Sequence, residues 1–214
     1  MSNGPLTLSA RLCLLAWEAA GPAAGAGGHR PAPARAGALV ELARRGLLID
    51  EDGIATPVDL DASAGDAVLD GLLELVRESR PHPWRTWVTL RARVTFDAVR
   101  EQLVADGWLR AEKRRVLGVF PTVEYALERG AVVEALREET RQTLHGAVPV
   151  AGIPERDAAV AVLAAAADLL DENTPDRRIE ELTERAGAST PGLAAIVRRV
   201  SSAVTAGRAV AATP

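Results

Sequence analysis

The side chains able to carry out chemistry are few, and they do not converge. His29, His82 and His145 lie far apart and none stands in the helical spacing of a metal site. Cys13 is the only cysteine, so neither an intramolecular disulfide nor a cysteine-based zinc site can form. The sole lysine, Lys113, follows Glu112 in an extended segment and no glycine-rich turn precedes it, which excludes a Walker-type phosphate loop. Gly25 and Gly27 begin a dinucleotide-like pattern, but Arg30 stands where the third glycine is needed and no strand comes before it. No serine occupies a nucleophile elbow. Asp66 and Asp70 fall on one helical face and could pair as acid and base; Asp66 is better explained as a helix cap carrying charge that suits the helix dipole. No catalytic residue, metal or cofactor is assigned.

Cation chemistry is the stronger signal. The whole chain is acidic, with 25 basic and 29 acidic residues and a net charge of −4, which argues against a protein that coats nucleic acid. Residues 77–115 run the other way, with ten basic side chains against five acidic ones, a net of +5 that leaves −9 for the remainder. Arg77, Arg80, Arg85, Arg91, Arg93, Arg100, Arg110, Lys113, Arg114 and Arg115 thus mark a Trp-bearing strip suited to phosphate groups on lipid or nucleic acid. A solvated helix face with internal ion pairs would read the same way. Arginine so dominates over lysine, alongside abundant Ala and Gly, that the bias matches high-GC bacterial coding and identifies no single position as functional.

The elements that must position these residues are mostly helical. Aromatics make up only 3% of the chain, so the core is built from Leu, Val, Ile and Ala, a mix that favours helices over a β-sandwich. Ser9 can cap a first helix with Leu12, Leu15, Ala16 and Ala19 on one stripe. Residues 21–33 hold Gly, Pro and Ala with no large apolar side chain and read as a flexible loop or lid. A second helix over 34–45 ends at Gly46, and a short hairpin follows, turning at Asp50-Glu51-Asp52-Gly53 with Pro57 on an edge. Val68, Leu69, Leu72, Leu73 and Val76 give the clearest helical face, opened by Asp66 or Ser63. Thr95 can cap a helix carrying Phe96, Val99 and Leu103 that ends at Gly107. A second hairpin over 108–121 is expected to turn at Arg114 and Arg115, and helices are expected over 131–145, 154–172, 175–185 and 191–206.

The expected architecture is therefore mainly α: a single helical domain with short β-hairpins, one of them projecting and both basic and apolar. It divides into a tail at 1–8, the domain at 9–172, and C-terminal helices at 173–214 packed on that domain. Residues 1–10 lack the pattern of a signal peptide, and the longest uncharged run, 142–154, is too short and broken to span a bilayer. A cytoplasmic location is expected. In the second hairpin, Leu117 and Phe120 are apolar while Arg114 and Arg115 are basic, so its tip could enter a bilayer interface with the arginines on lipid phosphates, or could meet a second subunit.

Three blocks carry a family resemblance: ARAGALVELARRGLL at 34–48, SAGDAVLDGLLELV at 63–76 and LVADGWLRAEKRRVLGVFPTVEY at 103–125. Their order and spacing resemble the Golgi phosphoprotein 3 family, with Gly65, Asp66, Leu69 and Asp70 the most specific element, over about residues 6–170. The resemblance implies a helical domain with a projecting hairpin and a non-enzymatic adaptor. Such a protein would bind phosphatidylinositol 4-phosphate or another anionic headgroup on the inner face of the plasma membrane and serve membrane-protein clients. It places headgroup residues at Arg35 and Arg93. The family's second arginine falls on Phe96 and its tryptophan has no counterpart near Ala26, so Arg30, Arg91 or the hairpin arginines must replace the lost ligands.

A second reading uses the same residues. A helix ending in Gly107 and followed by a basic hairpin is also the pattern of a winged-helix DNA-binding regulator. Its recognition helix would carry Arg100 beside Asp97, Glu101 and Asp106, a poor match to a phosphate-lined groove, so nucleic acid is not expected as a partner. A protein-interaction module without lipid binding is the third reading.

Overall fold

Three helix ends explain how the chain is divided. Gly46 and Gly107 adopt φ of +69° and +72°, and each closes its helix with a paired 6→1 and 5→2 bond set. Leu47 N–H donates to the Leu42 carbonyl and Gly46 N–H to Ala43, and the same pattern joins Trp108 to Leu103 and Gly107 to Val104. Asp168, at φ +53°, makes the third such end, so the helix expected over 154–172 stops at Ala166 and Leu169 and Leu170 turn back into the core.

The computed structural model describes residues 6–20, 31–116, 120–170 and 174–211. Its elements are α1 (Leu8–Ala20), α2 (Pro31–Arg44), β1 (Leu48–Glu51), β2 (Ile54–Pro57), α3 (Ala67–Glu78) and α4 (Trp84–Trp87). They continue as α5 (Ala92–Ala105), β3 (Leu109–Val116), β4 (Phe120–Leu127), α6 (Gly130–His145), α7 (Glu155–Ala166), α8 (Asp176–Gly187) and α9 (Leu193–Ala211). The mainly helical architecture with two antiparallel hairpins is the one the sequence predicts.

Several boundaries differ from expectation, each for a local reason. α2 begins at Pro31 rather than residue 34, because the first turn of a helix needs no N–H donors and so accepts both Pro31 and Pro33. Residues 31–33 of the expected flexible loop are therefore helical, and its remainder, 21–30, lies outside the described residues. Thr7, not Ser9, caps α1: its Oγ1 accepts from Ala10 N–H at 3.2 Å, while Ser9 is buried in the first turn. Thr95 lies inside α5, buried, and Arg91 is the cap residue instead. The second hairpin spans 109–127 and not 108–121. Arg114 and Arg115 stand within β3 opposite Thr122 and Pro121, so they do not form the expected turn.

The Asp66 cap is as expected. It accepts from the Val68 and Leu69 amides at 3.1 and 3.0 Å, and its other oxygen receives Gln102 of α5 at 2.9 Å. Asp70 accepts the Ala64 amide at 2.6 Å and the Ser63 hydroxyl at 3.1 Å. Both carboxylates are thus consumed in fastening the 63–66 loop to α3 and α5, which removes them as an acid–base pair.

Two apolar clusters share α1 and α2. The larger joins α1, α2, α3, α7, α8 and α9, so Leu182, Leu193, Ile196 and Val200 of the C-terminal helices pack with Leu39 and Leu163. The smaller holds Cys13, Leu14, Trp17, Phe96, Val99 and Leu103 with Leu109 at the base of the second hairpin. α7 lies at the centre, with Ala158 through Ala164 all buried, and its alanines let neighbouring helices approach closely. A similar approach brings α1 against Gly37 of α2, where an added Cβ would lie 2.7 Å from the Ser9 nitrogen.

Candidate functional site

The N-terminus of α5 is set apart from those of α4 and α6, which also lack a side-chain cap and first-turn acid, by a left-handed cap residue. Arg91 caps it at φ 50°, a left-handed conformation that costs a non-glycine residue roughly 1 kcal/mol, and no side chain caps the first turn. No acidic residue stands in that turn either, so the positive end of the helix dipole is uncompensated. Arg91 and Arg93 are both exposed there, the Arg93 side chain to 50%, and Val94 beside them is 62% exposed.

Arg35 comes up from beneath. It projects from α2 with no exposed surface, and its Nη2 donates to the Arg91 carbonyl at 2.6 Å. Its Nε and Nη1 are buried without a hydrogen-bond partner. Loss of hydration pushes its pKa down to about 10, which leaves it charged at neutral pH. A buried guanidinium with two orphaned nitrogens costs stability, and its bond to Arg91 fixes the strained turn that presents Arg91 and Arg93.

Arg93 is held from the other side. It pairs with Asp97 at 3.2 Å, Arg100 pairs with the same carboxylate at 3.0 Å, and both guanidinium groups lie over the Phe96 ring at 5.3 and 5.7 Å. Phe96, where the family places its second arginine, is buried and stacks on Trp17 with ring centres 6.5 Å apart. Tyr125 of β4 closes the group, edge-on to Trp17 at 5.8 Å and beneath Arg100 at 4.6 Å. The sequence reading did not name Trp17, Arg100 or Tyr125 for this site. The i, i+4 and i+3 spacing of Arg93, Asp97 and Arg100 was a usable signal; the left-handed Arg91 left none.

The structure thus brings Arg35, Arg91 and Arg93 together. Arg30 and Leu117 lie outside the described residues. Arg114, Arg115 and Phe120 belong to the distal half of the second hairpin, Phe120 opening β4 opposite Val116. At the base of that hairpin, Leu109, Tyr125 and Leu127 join the smaller apolar cluster. The basic strip divides in two: Arg77, Arg100 and Arg110 serve internal contacts, while Arg80, Arg85, Arg91, Arg93 and Lys113 are exposed. With Arg100 drawn onto Asp97 and Tyr125, Arg93 is left as the one exposed cation of α5, fewer than a recognition helix needs. Among the described residues no acidic, histidine or cysteine cluster could hold a metal, and no helix is long and apolar enough to cross a membrane.

The sequence model of the family described as Golgi phosphoprotein 3 (GPP34) matches residues 8–210. The chain belongs to that family. The match extends through α8 and α9, beyond the stretch that the motifs in the sequence reach. Membership in the Golgi phosphoprotein 3 family, one of non-enzymatic adaptors, suggests an adaptor of the same kind. No curated protein matches the chain.

Proposed function

We propose that this protein is a non-catalytic peripheral adaptor that holds a phosphate-bearing lipid headgroup, phosphatidylinositol 4-phosphate or a related anionic lipid, at the N-terminus of α5. The observation that carries the reading is the uncompensated helix end flanked by exposed Arg91 and Arg93 and underlain by Arg35. A phosphate needs two or three convergent donors, and the guanidinium forks of Arg91 and Arg93 supply them, since the Ala92 and Val94 amides already donate to the Thr89 and Arg91 carbonyls. Because Arg35 is buried, it acts by positioning Arg91 and by adding positive potential, and the direct contacts fall to Arg91 and Arg93, with Arg30 as a further ligand. Exposed Val94 would enter the headgroup layer beside them. Arg114, Arg115, Leu117 and Phe120 of the hairpin would make a second contact with the bilayer or with a second copy of the chain. Residues 9–172 and 173–214 act as one unit in this reading, on the cytoplasmic face of the plasma membrane, recruiting membrane-protein clients.

Vesicle flotation tests this directly, with neutral lipid alone, neutral lipid plus phosphatidylinositol, and neutral lipid plus phosphatidylinositol 4-phosphate. The wild type is expected to float on the phosphorylated lipid, and the double variant Arg91→Gln, Arg93→Gln to bind at least about tenfold more weakly, as loss of two charge-assisted contacts requires. Equal flotation of the two proteins would remove these arginines from the site.

A further inference from the structure

A second cationic cleft lies away from the α5 site. It has a volume of about 500 Å³ and opens between the β1–β2 turn, α4 and α9, lined by Asp52, Gly53, Trp84, Arg85, Arg198 and Arg199. Arg85 and Arg198 are exposed, and among the described residues neither makes an ion pair or a hydrogen bond. Arg199 is anchored, its Nη2 donating to the Thr89 hydroxyl at 3.2 Å. The only carboxylate in the lining is Asp52, so three guanidinium groups face one acid and the cleft carries a local charge of +2.

The walls are fixed before any ligand arrives. Trp84 Nε1 donates to Asp50 at 2.6 Å and its backbone N–H to the Gly53 carbonyl at 3.3 Å, which ties α4 to the β1–β2 turn. Gly192, just before α9, lies flat against the Trp84 ring, where an added Cβ would come within 2.3 Å of Cδ2. Ser202 spends its hydroxyl proton on the Arg199 carbonyl, so recognition falls on the guanidinium groups alone. Consecutive positions on α9 diverge by about 100°, so Arg198 and Arg199 border the cleft on different sides. Arg198 also lines an adjoining cleft of about 450 Å³ that holds Asp50 and Glu184.

We propose that this cleft binds a phosphate-bearing ligand through Arg85, Arg198 and Arg199, as a site separate from the α5 N-terminus. Planar guanidinium forks match phosphate oxygens two at a time, and a local charge of +2 balances a phosphomonoester dianion. A rigid frame lowers the ordering cost of binding. The phosphate comes either from a soluble compound or from a lipid headgroup. Thr89, which holds Arg199, lies two residues before Arg91, about 7 Å of chain, so a membrane docked on α5 would bring lipid close to the cleft.

The test titrates the full chain with inorganic pyrophosphate by calorimetry at low ionic strength. In parallel the chain is floated on phosphatidylcholine vesicles with and without phosphatidic acid. Wild type is compared with the double variant Arg85→Gln, Arg198→Gln and with Arg93→Gln, after circular dichroism shows all three folded. Pyrophosphate affinity at least tenfold lower in the Arg85 and Arg198 variant, and lower in it than in Arg93→Gln, would support a site for soluble phosphates. The same tenfold loss on vesicles only would support the site and assign the phosphate to lipid. Binding by the double variant equal to wild type in both arms, or no binding by wild type in either, would overturn the proposal. Loss confined to Arg93→Gln in both the pyrophosphate and the vesicle arm would overturn it while leaving the α5 reading intact.

Discussion

Arg35 separates stability from binding at the level of one side chain. Its partnerless Nε and Nη1 destabilise the fold, whereas its Nη2 holds the Arg91 turn. Arg35→Met keeps the volume and removes the charge, so the fold should be within about 1 kcal/mol of wild type or more stable. Flotation on phosphorylated lipid should nevertheless weaken several-fold. Urea denaturation measured beside flotation reads both, and destabilisation beyond about 3 kcal/mol would make Arg35 a structural residue instead. Cys13 gives a pH signature. Burial pushes its thiol up to about 12 against the opposing field of Arg100, whereas the unfolded thiol ionises near 9.0. The folded state then holds the proton that the unfolded state loses, so stability falls from pH 9 upward by as much as about 1.4 kcal/mol per unit. Arg35 acts in the opposite sense above about pH 10, since the folded state releases its proton first. Denaturation midpoints should therefore drop between pH 9 and 10 and then level off, and Cys13→Ala should abolish the drop.

At the level of elements, glycine decides more than charge does. Gly37→Ala would drive a methyl group to 2.7 Å from Ser9 N and 2.8 Å from the Leu8 carbonyl carbon, both backbone atoms that cannot rotate away. A loss of about 3 kcal/mol or more is expected in thermal or urea unfolding, and a near-neutral result would mean that α1 slides freely on α2. What was legible in the sequence follows the same division. The α3 face, the Asp66 cap and both glycine-ended helices could be read because each depends on residues within a few positions of one another. The α2 start was misread because proline signals both a break and a first turn. The hairpin turn was misplaced because basic residues look like a turn, yet they pair within the ladder, Arg114 opposite Thr122 and Arg115 opposite Pro121. Of the α5 site, the sequence offered Arg35, Arg91 and Arg93 as cations. Arg35's burial was illegible, since it depends on α5 packing over α2, more than fifty residues away. Arg198 and Arg199 were beyond reach for the same reason: they meet Arg85 only when α9 folds back on α4.

Across the whole molecule, the chemistry lies at the periphery and the rigidity at the centre. The α5 site sits on a helix end and the second cleft between a turn and two helices, whereas α7, beyond its charged first turn, is buried from Ala158 to Ala164 and enclosed by α1, α2, α6, α8 and α9. An enclosed helix of small side chains has no local way to open. Its amides should exchange with deuterium only through global unfolding, more slowly than those of α5 or the distal hairpin. Comparable rates in α7 and α5 would contradict that ranking. Exchange in α7 then serves as a gauge of the entire fold, so a phosphate bound at either remote site should slow it by mass action, without touching it.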